Sequence, residues 1–283
     1  MDRKTLIINA IVVNPGSTEP VLADGAVLIE NDLIVEVGAS SQLRQKYRYV
    51  PVIDARNRIV MPGLINGHMH LYSTFACGLA PEPSFNFPEI LQNLWWKLDR
   101  ALSMDDVHLS ALIPLYRSIV SGTTTIIDHH ASPYAVGGAL DNVAQACKVA
   151  GIRASLCYET SDRDGTTIRD QGLDENISFA RKHANDTMFK GLLGLHASFT
   201  LTDETLKKVA EASRTLGVGV HVHAAEDVSD QDHCTKEHGK RVVQRFNDFG
   251  LLSPKSILAH CIHVDAEERR ILKETGTFVA HNP

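Results

Sequence analysis

Along residues 5–60, short β-rich runs (Leu6 to Val13, Ala26 to Glu30, Leu33 to Val37, Val50 to Ile53) are separated by Asn14-Pro15-Gly16-Ser17, Asn31-Asp32 and Gly38. Such punctuation marks tight turns, so residues 1–60 are expected to form a small β domain built on a sheet. From Met61 the pattern changes. Apolar runs now alternate with helical patterns, the mark of a parallel βα architecture. The expected strands are Leu64 to His70, Thr123 to Asp128, Arg153 to Tyr158, Lys190 to His196, Val218 to His223, Ser256 to His260 and Thr277 to Asn282. Helix boundaries are written between them. Ser103 with Asp106 is a capping-box pattern for a helix that stops at Gly122, and Gly151 stops a helix over 140–150. Asp203-Glu204 opens a helix that Gly217 ends, and Asp265 with Glu268 opens another that Gly276 closes.

This order predicts a distorted TIM (β/α)8 barrel over 61–283. Seven strands are one short of a closed barrel, and the chain stops at His281-Asn282-Pro283, so the barrel is expected to be C-terminally incomplete, with an unpaired edge. Composition narrows the partners. With 28 basic and 34 acidic residues among 283 the net charge is −6, which argues against nucleic acid or an anionic membrane and for a small soluble ligand. No window approaches 18 uncharged apolar residues, and Met1-Asp2-Arg3-Lys4-Thr5 lacks the apolar core of a signal peptide, so a cytoplasmic protein is expected. Five cysteines without CxxC spacing indicate neither a disulfide framework nor a thiolate zinc site.

The candidate chemistry gathers at the expected strand ends, where a βα barrel keeps its active site. His68 and His70 are two apart on a strand, project to one side and can share a metal ion. Asp128, His129 and His130 end the second strand, Glu159 the third, His196 the fourth, His223 the fifth and His260 the sixth. Glu226, three residues past His223, is a carboxylate able to lean over a metal without binding it. Metal-assisted hydrolysis requires such a group, because the attacking water must lose a proton and the leaving group must gain one. Other readings stand beside these. His129-His130 also fits a capped turn with no substrate contact, Trp95 and Trp96 fit a core or an interface, and His281 fits either the site or a trivial end.

The run Met61-Pro62-Gly63-Leu64-Ile65-Asn66-Gly67-His68-Met69-His70 resembles the first-strand signature of the amidohydrolase superfamily. His223-Ala224-Ala225-Glu226 and Leu258-Ala259-His260-Cys261 are similar to the fifth- and sixth-strand motifs of its aminohydrolase/chlorohydrolase branch, which includes cytosine, guanine and S-adenosylhomocysteine deaminases and triazine chlorohydrolases. Asn93 to Arg100, Ile127 to Pro133 and His223 to Asp227 look most like the SsnA-type aminohydrolases. The resemblance covers nearly the whole chain. It implies that His68, His70 and His223 bind one divalent metal, zinc or iron, that Glu226 shuttles the proton, and that His260 holds or polarises the attacking water. His196 matches a position that faces substrate in related deaminases, and His129 and His130 are further candidates for substrate binding. His221 shares a face with His223, but the spacing to Glu226 favours His223 as the ligand. The family's fourth ligand, an aspartate on the eighth strand, has no counterpart here, and no lysine ends the fourth strand as binuclear relatives require. The small β domain is expected to be part of a composite β-sandwich, and the protein to be a homodimer. The implied reaction is hydrolytic deamination of a purine- or pyrimidine-like small molecule. Cyclic amide hydrolysis or dechlorination by the same residues, and a truncated non-catalytic barrel, are the alternatives.

Overall fold

The structure, a computed structural model, describes residues 3–282. The chain divides into two compact units, Met1–Gly63 and Leu64–Pro283. The first is a five-stranded sheet of β1 (Lys4–Val13), β2 (Val21–Glu30), β3 (Leu33–Ala39), β4 (Val52–Asp54) and β5 (Ile59–Val60), with helix α1 (Ser40–Lys46) after β3. β1 is its centre, antiparallel to β2 and parallel to β4 and β5. The two-residue period of β1 buries Leu6, Ile8, Ala10 and Val12 in turn. Leu6 and Ile8 pack with Ala26, Leu28 and Leu43 of α1.

The second unit follows the βα alternation. Its strands are β6 (Leu64–Met69), β7 (Thr123–His130), β8 (Arg153–Tyr158), β9 (Phe189–Gly191), β10 (Leu193–Ala197), β11 (Val220–Ala224), β12 (Ile257–His260) and β13 (Phe278–Ala280). They form two parallel four-stranded sheets, β6-β7-β8-β9 and β10-β11-β12-β13. The fourth expected strand is thus broken at Leu192: its first half pairs with β8, its second with β11. A parallel bridge between Thr160 and Leu195 continues the curve across the break. The two sheets approach closely there, since a Cβ at Gly194 would lie 2.2 Å from the Tyr158 carbonyl oxygen. Among the described residues β6 and β13 share no ladder, so no closed barrel is formed.

The helices are α2 (Phe87–Ile90), α3 (Trp96–Ala101), α4 (Met104–Val120), α5 (Ala139–Ala150), α6 (Thr166–Lys182), α7 (Asp203–Leu216), α8 (Val228–His238), α9 (Val242–Asp248) and α10 (Ala266–Thr275). Their ends obey the local signals. Ser103 and Asp106 form the reciprocal capping box of α4, Asp265 and Glu268 that of α10, and Gly151, Gly217 and Gly276 end their helices in the left-handed conformation. Strands β10 and β11 are buried at every position, as expected for parallel strands covered on both faces. The core lies between them and the helices, for example Leu195, Val222 and Leu258 against Leu206, Val209 and Phe246. None of the described helices is long and apolar enough to cross a membrane.

Candidate metal centre and active site

The C-terminal ends of the parallel strands surround a cavity of about 220 Å³ lined by His68, His70, His196, His223, Glu226 and His260, among others. Of the ten strand-end residues singled out above, these six and Glu159 therefore meet in one place. His129 and His130 do not line it. Strand β7 continues through His130 instead of turning at Asp128, so both rings are fully buried in the wall beneath the cavity. His129 Nε2 donates to the Leu195 carbonyl at 3.0 Å, and His130 Nε2 is 3.0 Å from the Ser132 hydroxyl. A substrate contact for these two does not follow from the fold.

Three imidazoles are prepared alike. His70 Nδ1 lies 2.6 Å from the His129 carbonyl oxygen and His223 Nδ1 lies 2.8 Å from that of His196. A carbonyl only accepts, so both Nδ1 atoms carry the proton and both Nε2 atoms present a lone pair. Those two Nε2 atoms face each other at 3.1 Å with no proton to share. His68 Nδ1 is 2.9 Å from Nε2 of His221, which leaves His68 Nε2 as the third free nitrogen. Ligand atoms of His68, His70 and His223 lie within 4.8 Å of one another. Burial, reinforced by neighbouring histidines, lowers the pKa of all three, His70 to about 4, so they are neutral. Neutral imidazole is the metal-binding form. The donor set therefore fits a divalent cation, and facing lone pairs are an arrangement that a cation relieves. A second group, His129, Glu159 and His223, also brings its ligand atoms within 4.8 Å, but it shares His223 with the first.

His221 stands behind His68, fully buried, with its other nitrogen 3.6 Å from the Cys157 thiol. It orients a ring rather than entering the cavity. Across the cavity, burial raises the pKa of Glu226 to about 7, helped by Asp230, Asp227 and Glu159. Its Oε2 is 3.5 Å from His260 Nε2. His260 has φ +71°, and Ala225 and Cys261 are also left-handed, at +49° and +52°. Non-glycine residues are held in that region only where surrounding structure imposes it, and such strain clusters at functional sites. The hydrogen bonds from Cys261 and His263 N–H groups to the Ala224 and Ala225 carbonyls impose it here. His196 closes the opposite side, with Nδ1 2.7 Å from the Thr200 hydroxyl and a pKa that burial lowers to about 4. His281 Nδ1 lies 3.0 Å from the His260 carbonyl oxygen, and the residue is exposed.

Trp95 and Trp96, expected in a core or interface, line the cavity, as do Tyr72, Asp99 and Arg163, which sequence reasoning passed over. The available signal was the spacing Trp96-Lys97-Leu98-Asp99, which puts Trp96 and Asp99 one helical turn apart. Asp128, also fully buried, accepts the Leu71 N–H at 2.7 Å and so anchors the turn that follows His70. Burial raises its pKa to about 7.

The chain is similar to several known proteins. The chain is 31% identical over 280 residues to a 5-methylthioadenosine/S-adenosylhomocysteine deaminase of Desulfitobacterium hafniense and 31% identical over 280 residues to a 5'-deoxyadenosine deaminase of Methanosarcina mazei. Each alignment covers 98% of this chain and 62% of the relative, so the chain spans less than two thirds of their length. The crystal structure of an adenosine deaminase from Xanthomonas campestris with bound zinc superposes with a TM-score of 0.84 at 23% identity, over 99% of this chain and 63% of that one. That likeness establishes a TIM-barrel-like α/β fold. The amidohydrolase family profile matches residues 59–283, and with the relatives above this means that the chain belongs to the amidohydrolase family.

Proposed function

We propose that the protein is a metal-dependent hydrolase that removes the amino group from a heterocyclic small molecule. The observation that carries this reading is the convergence of three neutral imidazoles beside a carboxyl group, Glu226, whose pKa is raised to about 7. His68, His70 and His223 would hold the ion, zinc in first place and iron in second. When bound, the ion supplies Lewis-acid activation of water. Glu226, near half-ionised at neutral pH, takes a proton from the attacking water and returns it to the ring or to the departing amine. His260, beside it, orients the water, and His196 faces the substrate from the far wall. Water adds to the ring carbon, the C–N bond to the exocyclic amine breaks, and ammonia leaves. The relatives named for adenosine derivatives favour a purine-type ring amine. Elemental analysis and an ammonia-release screen against adenosine, guanine and cytosine derivatives test the reading. About one ion per chain and ammonia from at least one member are expected. Two tightly held ions would remove the single-ion assignment, and silence across the panel with the ion present would remove deamination.

A further inference from the structure

Behind the cavity, groups from four strands of the second unit stand in line: the His68 ring of β6, the His221 ring of β11, the Cys157 thiol of β8 and the Asp128 carbonyl of β7. His68 Nδ1 is 2.9 Å from His221 Nε2, His221 Nδ1 is 3.6 Å from Cys157 Sγ, and Sγ is 3.5 Å from the Asp128 carbonyl oxygen. The last two lengths suit the larger sulfur atom, a weak donor and a weak acceptor. His221, Cys157 and Asp128 are fully buried. A buried free cysteine commonly serves as a small apolar group. Cys157 differs, because its sulfur faces two polar atoms.

Three contacts need three protons, and three are present. Burial keeps both rings neutral and the thiol protonated. A backbone carbonyl only accepts, so the contact between Sγ and the Asp128 oxygen can be filled only by the thiol proton. The proton on His221 Nδ1 then fills the contact to sulfur, and the lone pair on His221 Nε2 accepts from His68 Nδ1. In the opposite direction the thiol donates to His221 and His221 donates to His68, while sulfur and carbonyl meet lone pair against lone pair. That direction would also leave the third proton on His68 Nε2, the nitrogen a metal needs bare. We propose that Cys157 is a positioning residue: by donating to the Asp128 carbonyl it sets the direction of the whole chain of hydrogen bonds and so keeps the His68 Nε2 lone pair free for the ion. The inference rests on the ligand set proposed above and extends it two links beyond His68. The thiol touches neither ion nor substrate.

Proton–nitrogen NMR spectra of metal-free protein labelled at histidine read the proton of each ring directly, with His68→Gln and His221→Gln assigning the signals. Both rings are expected to carry their proton on Nδ1. A proton on Nε2 of either ring overturns the proposal. Zinc affinity, from competition with a chelator, gives a second reading. Cys157→Ala is expected to bind zinc about tenfold more weakly, the low end of what an orienting partner is worth. Cys157→Ser keeps a donor for Asp128 and an acceptor for His221, and it is expected to recover most of that loss. Wild-type affinity in Cys157→Ala overturns the proposal. So does a Cys157→Ser protein as weak as Cys157→Ala, since that is the pattern of a residue that only fills space. If the variants do not fold, the wild-type spectrum decides. A wild-type protein that takes up no zinc removes the ligand set instead, while its spectrum still decides the direction of the chain of hydrogen bonds.

Discussion

Among single residues, Glu226 and His221 do different work and should fail differently. Glu226→Gln keeps the shape of the side chain but cannot cycle a proton, so metal content should stay near wild type while kcat falls by about 100-fold or more. Loss of the ion in that variant would make Glu226 a ligand, and retained turnover would take it out of the reaction. His221 never enters the cavity, yet its Nε2, 2.9 Å from His68 Nδ1, holds that ring in its orientation. Removing such an orienting partner lowers metal affinity by about 10- to 100-fold, so His221→Ala should hold its ion less tightly in a chelator competition. Both sites were visible in the histidine pattern. Strand alternation puts His221 and His223 on one face, and the spacing to Glu226 favoured His223; the role of His221 behind His68 was not visible, because it depends on where the fold places that ring.

Within elements, α10 shows how a local signal grows into a larger one. Asp265 and Glu268 read as a capping box, and they form one. Glu268 is also fully buried and accepts from Gln231 at 3.1 Å, from Arg241 at 2.8 Å and from the Val243 N–H at 3.0 Å, so it ties α10 to α8 and α9. Asp265→Ala should therefore cost about 1 kcal/mol, the usual value of a cap. Glu268→Ala leaves several buried donors unmatched and should cost about 3 kcal/mol or more in urea unfolding. Similar losses for the two variants would show that Glu268 is a cap and nothing else. The turn after β11 adds a pH signature. Burial raises the pKa of Asp230 to about 7, so the folded state binds a proton that the unfolded state, near 3.8, has released. Its contribution is full below the unfolded value and is lost as pH rises through about 7. Asp230→Asn keeps an acceptor for the Ala225 N–H, which Asp230 Oδ2 now meets at 2.9 Å. The stability of wild type relative to this variant should therefore decline from pH 4 to pH 7, and a difference that is flat or rises with pH would contradict the assignment.

For the whole molecule, the open edges matter. β6 and β13 end their sheets, and Leu64, Ile65, Phe278 and Val279 on them are 50%, 68%, 64% and 42% exposed. Unpaired apolar edge strands template association. The 283-residue chain by itself should self-associate in sedimentation experiments, and Ile65→Lys should reduce that association. A monodisperse monomer at high concentration would contradict this. Metal should act on the same scale, because an ion held by His68 and His70 at the end of β6 and by His223 of β11 stabilises the state that brings the two strands together. Chelation should lower the Tm of the wild type, and His70→Ala should start from the lowered value and respond little.

The histidine pair at 68 and 70, the glycine stops and the capping boxes could be read directly because each depends on geometry within a few residues: a period of two along a strand, one turn of a helix, a left-handed stop. Alternation of apolar runs likewise sufficed for a parallel βα architecture. The break of the fourth strand at Leu192 was hidden, since it arises from two sheets curving past each other at Gly194 and leaves no local mark. The state of the site was equally out of reach. His70 and His223 are 153 positions apart, and their facing lone pairs exist only because separate backbone carbonyls fix each ring. Arg163 is saturated by Asp99, Glu159 and Asp164, drawn from two segments of chain, and Trp96 leaves an apparent core role to wall the cavity. Residue types and their spacing follow from local sterics, whereas protonation, saturation and burial follow from desolvation and distance across the fold.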